Sequence, residues 1–491
     1  MSSQTVIVPG WGKLMASLAV PALVIGVFLY PDPQHGGMPL PLAVLIVLLA
    51  AAGLVMAGRP RLLVLLPVIA AFLPSAQVGF VGYVIALGYF TVEYGATRLA
   101  TPLDRLDWAL LAVLAWTVVS WAANLGVQTD AWSLLLFSIT FLSPWLLVLV
   151  ARVATWDLRD ISAILAAWIA LAAVQAVPAL VKPLVLGMGG AYSVPLVVFQ
   201  LTGVALLRNL MPTSAADLTT GTTITAHHLG SALLLLCMLL LSWRIAARIR
   251  GWPILLAFYT YIFLMTDAKH MILAALPAGI WYLGVVVWPL FARRTRRWMN
   301  VAAAVVVAGG GGYVAAQVAA VVREFWQPYM ALASVNPKAQ LFSRTARLMG
   351  ENSLQTWIGF GPGAFGSRAA SIRATDVLFK EDNRLPSFIT PHTAPAYASV
   401  AYDLYTSEIV RTEAFRSGAL TSPFSSLVGV VAEYGILGSM VVAWFLFAAA
   451  RAAFSCWRNT GLPPAWRAAG ATAGFAIPFL MALSPFDTYF E

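Results

Sequence analysis

The residues of this chain whose types and spacing suit chemistry fall mostly in one polar stretch, residues 323–424. His392, in Thr390-Pro-His-Thr393, is the only histidine there. Imidazole is the side chain whose ordinary pKa suits proton transfer near neutral pH, although a single loop histidine can equally be incidental. Arg344 and Arg347 precede the glycine-rich run Trp357-Ile-Gly-Phe-Gly-Pro-Gly-Ala-Phe365. A guanidinium offers paired donors that match phosphate oxygens; the plain alternative is a loop charge. Gly359, Gly361 and Gly363 permit positive φ and let backbone N–H groups approach a ligand, or form only a tight turn. Glu433 sits at the start of the next apolar run, in Ala432-Glu-Tyr-Gly-Ile-Leu-Gly438. There it is a second candidate base, or simply a carboxylate favoured near a helix N-terminus. Lys269 lies beside His270 in the short turn Thr266-Asp-Ala-Lys-His270. A cation at a membrane face suits an anionic head group, or it snorkels to anchor a helix end. No His/Cys/Asp/Glu cluster has metal-ligand spacing and no serine lies in a nucleophile elbow, so neither a metal nor a cofactor is expected.

The elements that must position these residues are membrane helices. The chain has 491 residues, 60% hydrophobic and 10% charged, with mean hydropathy +0.82. A soluble domain is about 25% charged. Apolar runs of roughly 20 residues recur, each long enough to cross a bilayer. The fold class expected is all-α, a polytopic transmembrane helix bundle. Continuous rather than alternating runs exclude a β-barrel. Spans are predicted near 13–30, 40–57, 61–75, 78–94, 106–124, 132–152, 160–183, 226–247, 252–267, 270–291, 298–320, 425–450 and 465–485, about 12–13 in all. The first has no small-residue cleavage signature after it and reads as a retained helix. The chain therefore divides into helices over 1–320, a large loop over 321–424, and two last helices with a tail over 425–491. A further segment outside the spans covers about 182–225; within it Val194–Leu207 is short for a span and suits the interface or a re-entrant piece.

The net charge of +10 reflects topology rather than nucleic-acid binding. Alternate loops carry Arg59 and Arg61, Arg98 and Arg105, Arg152 and Arg159, Arg244 to Arg250, Arg293 to Arg297, and Arg451 to Arg467. Those loops are expected to be cytoplasmic, which puts 182–225, the Lys269 turn and the large loop outside. Cys237 and Cys456 suggest neither a disulfide framework nor a metal site. No internal repeat supports an inverted-repeat transporter, and few ionisable groups sit in the spans, which weakens ion-coupled transport. Gly309–Gly312 reads as close helix packing, since no Gly-Lys-Ser/Thr follows. A long polar loop between two membrane helices is costly to order and rarely idle.

Taken together, the motifs of the second half resemble the O-antigen ligase and polymerase superfamily of bacterial membrane glycosyltransferases. That family places a Gly-x-Gly-Pro-Gly-x-Phe turn in its outer loop, matched by Gly359–Phe365, and begins the next helix with Ala-Glu-x-Gly-Ile-x-Gly, matched by Ala432–Gly438. An arginine before the turn is matched by Arg344. An upstream His-x-Leu-Gly helix start is approximated by His228, Leu229 and Gly230. A short outer turn with Ser-Arg in the family has Ala268-Lys269 here. Two departures stand out. Lys for Arg keeps the charge but gives up bidentate phosphate binding. The family's His-Asn pair, about nine residues before the helix-start glutamate, is replaced by Ser422-Pro-Phe-Ser-Ser426.

The resemblance implies a GT-C-like protein of the bacterial inner membrane with its large loop periplasmic or extracellular. Its partners would be an undecaprenyl-diphosphate-linked glycan donor, an acceptor glycan or lipid-linked glycan, the lipid bilayer and other polysaccharide assembly and export proteins. The reaction would be metal-independent and inverting. Lys269, Arg344 and Arg347 would neutralise the departing diphosphate, and His392 first or Glu433 second would take the acceptor proton. The aromatics Trp357, Phe360, Phe365, Tyr397, Tyr402 and Tyr405 would stack on sugars or form a small core. A polymerase is favoured over a ligase by the length of the loop. A flippase of lipid-linked glycans and a non-catalytic scaffold of a polysaccharide machine are the alternatives.

Overall fold

The computed structural model describes residues 40–71, 78–185, 226–246, 252–266, 269–287, 337–374, 390–401, 404 and 425–485. Among them the chain is helical and contains no β-strand. Helices α1 (Leu40–Met56), a 3-10 turn (Pro60–Leu65) leading into α2 (Leu66–Ala71), and α3 (Val78–Ala100) open it. Then come α4 (Arg105–Asn124), α5 (Ala131–Phe137), α6 (Ser143–Ala151), α7 (Leu158–Val185), α8 (Ala226–Ala246), α9 (Trp252–Met265) and α10 (Lys269–Tyr282). The polar stretch supplies α11 (Pro337–Glu351), α12 (Ser353–Ile358), α13 (Arg368–Arg373) and α14 (Pro395–Ala401), and the chain closes on α15 (Ser426–Arg458) and α16 (Pro464–Leu483). The spans expected near 13–30 and 298–320, Val194–Leu207, Gly309–Gly312, Tyr402 and Tyr405 lie outside the described residues.

Five helices are long and apolar enough to cross a membrane: Arg105–Asn124, Ala131–Ala151, Leu229–Ala246, Ser426–Arg458 and Pro464–Leu483. Only 33–50% of each span is buried within the protein. The rest is still apolar, as at Met440, Trp444 and Phe447 of α15. A helix apolar all round needs lipid as its second solvent. The chain is therefore a multi-pass helical membrane protein. The span expected over 132–152 is not one regular helix. A π turn, Ser138–Leu142, joins α5 to α6. Pro144 follows it; proline lacks the N–H that would bond the Thr140 carbonyl, and its ring crowds that carbonyl.

The described chain folds as two compact units. The first draws on residues up to Asp104, Leu142–Met271 and Ala450–Gly474. Here α3 packs on α2 and on α6, and α8 packs on α9. Phe90 is fully buried among Ala86, Leu147, Ala151 and Ala154, with its ring stacked on Tyr94 and Trp156. Loop charges pair at the helix ends: Arg61 with Asp160 at 3.2 Å, and Arg152 with Asp104.

The second unit draws on Arg105–Phe141, Ile272–Ala449 and the chain from Phe475. It contains the polar helices and its own small core. Leu341, Thr345 and Met349 repeat every four residues along α11, so one face of an otherwise polar helix is buried. That face packs on α14 and joins Phe360, Phe365, Tyr397, Val400, Val428 and Ala432. Phe360 stacks on Phe365, and Phe365 meets Tyr397 edge-on at 5.5 Å. Three of the aromatics weighed as sugar-stacking residues are thus core. Burying each ring stabilises the unit by about 1.5–3 kcal/mol.

Candidate functional site

The two motifs of the second half meet through backbone. Helix α15 begins at Ser426, several residues before Glu433, and is broken at Gly435, where φ is 67° and ψ −173°. The glycine turn fits into this break. The N–H of Phe360 donates to the Ala432 carbonyl at 2.7 Å, and the N–H of Gly361 donates to the Glu433 carbonyl at 3.0 Å. A Cβ on Gly359 would overlap the Glu433 carbonyl, and a Cβ on Gly435 would overlap the Trp357 carbonyl. Gly359, Gly361 and Gly363 all have positive φ, as their type predicts.

The turn then closes on the Glu433 side chain, which is 1% exposed. Oε2 accepts the N–H of Gly363 at 2.9 Å; Oε1 accepts those of Phe365 at 2.8 Å and Ser367 at 3.1 Å. The amides of Gly359, Gly361 and Gly363 are not presented to a ligand. They are committed to Gln355, to the Glu433 backbone and to the Glu433 carboxylate. Both Glu433 oxygens already accept amides in a closed environment. The cradle of backbone N–H groups is real, but the group it holds is the chain's own Glu433 carboxyl. Burial, with the Glu433 carboxylate adding to it, pushes the neighbouring Tyr397 hydroxyl up.

Helix α4 supports this joint with a polar stripe. Trp116 Nε1 donates to the Tyr434 carbonyl at 2.9 Å, and the Thr117 and Tyr434 hydroxyls are 2.6 Å apart. Ser120 Oγ reaches the Ile358 carbonyl at 2.8 Å and the Glu433 carbonyl at 2.9 Å; Asn124 Nδ2 donates to the Gly359 carbonyl at 3.0 Å. Breaking α15 orphans backbone carbonyls, and side chains spaced four apart on a neighbouring helix satisfy them.

A second polar cluster adjoins the turn. Ser367 caps α13 through its side chain, and α13 ends in Arg373, which is 1% exposed. Its guanidinium forms a forked pair with Asp130, donates from Nη1 to Ser133 Oγ at 2.8 Å, and donates from Nε and Nη2 to the Thr390 carbonyl at 3.1 and 2.9 Å. Partial burial pushes the Asp130 carboxyl up, but Arg373 and the Ser133 N–H outweigh it and hold it down at about 2. His392 lies two residues past Thr390 and is half-buried. Its backbone N–H donates to the Arg373 carbonyl at 3.1 Å, and its Nε2 is 3.3 Å from the Gln128 carbonyl. Gln128 Oε1 also accepts the N–H of Ala396 at 3.0 Å.

Arg344 is half-buried on α11, with Nη2 3.0 Å from Gln340 Oε1 and Nη1 3.4 Å from the Val400 carbonyl of α14. It is therefore docked on the helix that starts just after His392. Arg347, one turn on, is exposed. Trp357 is 52% exposed, unlike its buried aromatic neighbours. Lys269 is the first residue of α10 and belongs to the first unit. No three His, Cys, Asp or Glu residues among the described residues are grouped to hold a metal ion.

No family model, curated protein or solved structure matches the chain. The residues themselves must carry the functional reading.

Several of those residues were not singled out from the sequence. Trp116, Ser120 and Asn124 form an i, i+4, i+8 polar stripe in an apolar helix, a signal that periodicity could have exposed. Asp130 is readable as an N-cap, since its side chain accepts the N–H of Ser133 three residues on. Arg373 carries no sequence signal at all. Its partner lies 243 residues away.

Proposed function

We propose that this chain is a GT-C-like glycosyltransferase of the bacterial inner membrane, with about 12–13 spans. It moves a glycan from an undecaprenyl-diphosphate donor to an acceptor hydroxyl at the outer membrane face, most simply as a polymerase. The observation that carries this reading is the closure of the Gly359–Phe365 turn on Glu433. The two motifs that prompted the resemblance to O-antigen ligases and polymerases are one structural joint. It fastens a polar, periplasmic or extracellular loop to the head of the following span. An acceptor glycan and a membrane-held donor must meet at such a place.

The chemistry needs little from the protein beyond position and charge. The acceptor oxygen forms a bond to the anomeric carbon of the donor. The bond from that carbon to the diphosphate breaks, and its electron pair leaves with the lipid diphosphate. The acceptor hydroxyl proton passes to a base. Cations placed in advance stabilise the departing diphosphate in a water-poor site. Arg344 and Arg347 on α11 are suited to this. His392 is the base. Glu433 and the glycine turn position the loop.

Purified protein in proteoliposomes, given an undecaprenyl-diphosphate-linked glycan and an acceptor glycan, should yield elongated product. Arg344→Ala should abolish transfer while expression and membrane insertion persist; full activity in that variant removes Arg344 from the mechanism. Movement of the donor across the bilayer without product would instead identify a flippase. Neither movement nor product would leave a scaffold.

A further inference from the structure

We infer that Arg373 and Asp130 position His392, and that the Gln128 carbonyl holds its ring so that Nδ1 takes the acceptor proton. This rests on the proposed transfer reaction for its purpose, though not for its geometry.

Four residues close a ring of contacts. Gln128 holds the His392 imidazole through its carbonyl. The His392 N–H donates to the Arg373 carbonyl. The Arg373 guanidinium pairs with Asp130. Asp130 stands two residues after Gln128 in the same turn. Arg373 thus grips the 390–392 segment twice, by its side chain at the Thr390 carbonyl and by its main chain at His392. Gln128 brackets the same segment from the other side, at His392 and at Ala396. The turn that carries Gln128 is itself stiff. Gly126 adopts φ 81°, its N–H donates to the Thr129 carbonyl at 2.9 Å, and Thr129 is buried.

A carbonyl oxygen can only accept. The Nε2 facing Gln128 therefore carries the hydrogen, and in the neutral ring Nδ1 is the acceptor. Burying a guanidinium is expensive unless every donor is used and a counter-charge is supplied. Here it is arranged around the one histidine of the polar stretch. A hydrogen bond to the far nitrogen fixes tautomer and ring direction, the two properties a proton acceptor needs before the substrate arrives.

The test uses the full-length protein in nanodiscs with 15N-imidazole histidine. The chain has five histidines, and the spectrum lost in His392→Gln identifies the relevant one. The neutral form of wild-type His392 should carry its proton at Nε2. Asp130→Asn and Arg373→Lys should convert this to a mixture of tautomers. Ser133→Ala, which removes one Arg373 acceptor but keeps the charge pair, should shift it less and serves if the charge variants fold poorly. In the transfer assay Asp130→Asn should lower kcat by about 100-fold with KM little changed, and should cost nothing further in a His392→Gln background. A wild-type ring protonated at Nδ1, or a spectrum and kcat unmoved in folded Asp130→Asn, overturns the inference. Transfer undiminished in His392→Gln overturns it too. A wild-type protein that transfers nothing fails the functional reading, and the spectrum still decides whether Arg373 and Asp130 hold the ring.

Discussion

Two of the three arginine–aspartate pairs among the described residues share one chemistry in opposite surroundings. Arg152 and Asp104, in the first unit, keep 30% and 53% of their side chains exposed. Arg373 and Asp130, in the second, keep 1% and 38%. An exposed pair gains little, because water screens the attraction and two long side chains must be ordered. A buried guanidinium cannot stand alone, because its desolvation must be offset by a counter-charge and by hydrogen bonds on its remaining donors. Arg373 has both. The difference separates a charge that tidies a loop from one around which a loop is built.

The sharpest way to break this comparison is Asp130→Ala, which leaves the Arg373 charge buried without its counter-ion. It should destabilise the second unit by about 3–5 kcal/mol, read as loss of stability in denaturant unfolding of detergent-solubilised protein. A loss as small as that of an exposed pair would erase the distinction. Glu433→Gln comes next. Its amide can replace one acceptor oxygen, but its NH2 group must face an N–H donor, so the cost is about 1–3 kcal/mol. Acid sharpens the comparison further. The Asp130 carboxyl lies at about 2 in the folded protein, down from 3.8. A depressed folded value means the pair stabilises fully above pH 4 and is lost as pH falls toward 2. Wild type should lose stability across that window, and Asp130→Asn should lack that component of the loss. Smallest of all, Arg152→Ala should cost under about 1 kcal/mol. A larger effect would show that exposure is not what distinguishes the pairs.

Much of the helical frame was legible in the sequence. The run at 40–57 became Leu40–Met56, and that at 465–485 became Pro464–Leu483, because apolar length is a one-dimensional property. Breaks inside spans were not. In the sequence Gly435 is only one position of the Ala432–Gly438 motif. Only the arrival of Trp357 and Gly359 beside it explains why the helix opens there. The glycine turn and Glu433 were legible as separate motifs, and the three positive φ values follow from residue type. That one motif holds the other could not be read, because no periodicity links positions 70 residues apart. His392 was chosen for its chemistry alone. Arg373, which bears on it most directly, was hidden among ordinary loop arginines.

That 70-residue separation also has a consequence for how the protein is made. The glycine turn leaves the ribosome well before Glu433 does. At about 5–20 residues per second, synthesis leaves the turn for roughly 4–14 s without the carboxylate that organises it. The turn therefore matures late, only once the head of α15 has been synthesised. A nascent chain stalled before Glu433 should carry α4 and its polar stripe with nothing to receive, and should be the stage most exposed to quality-control proteases.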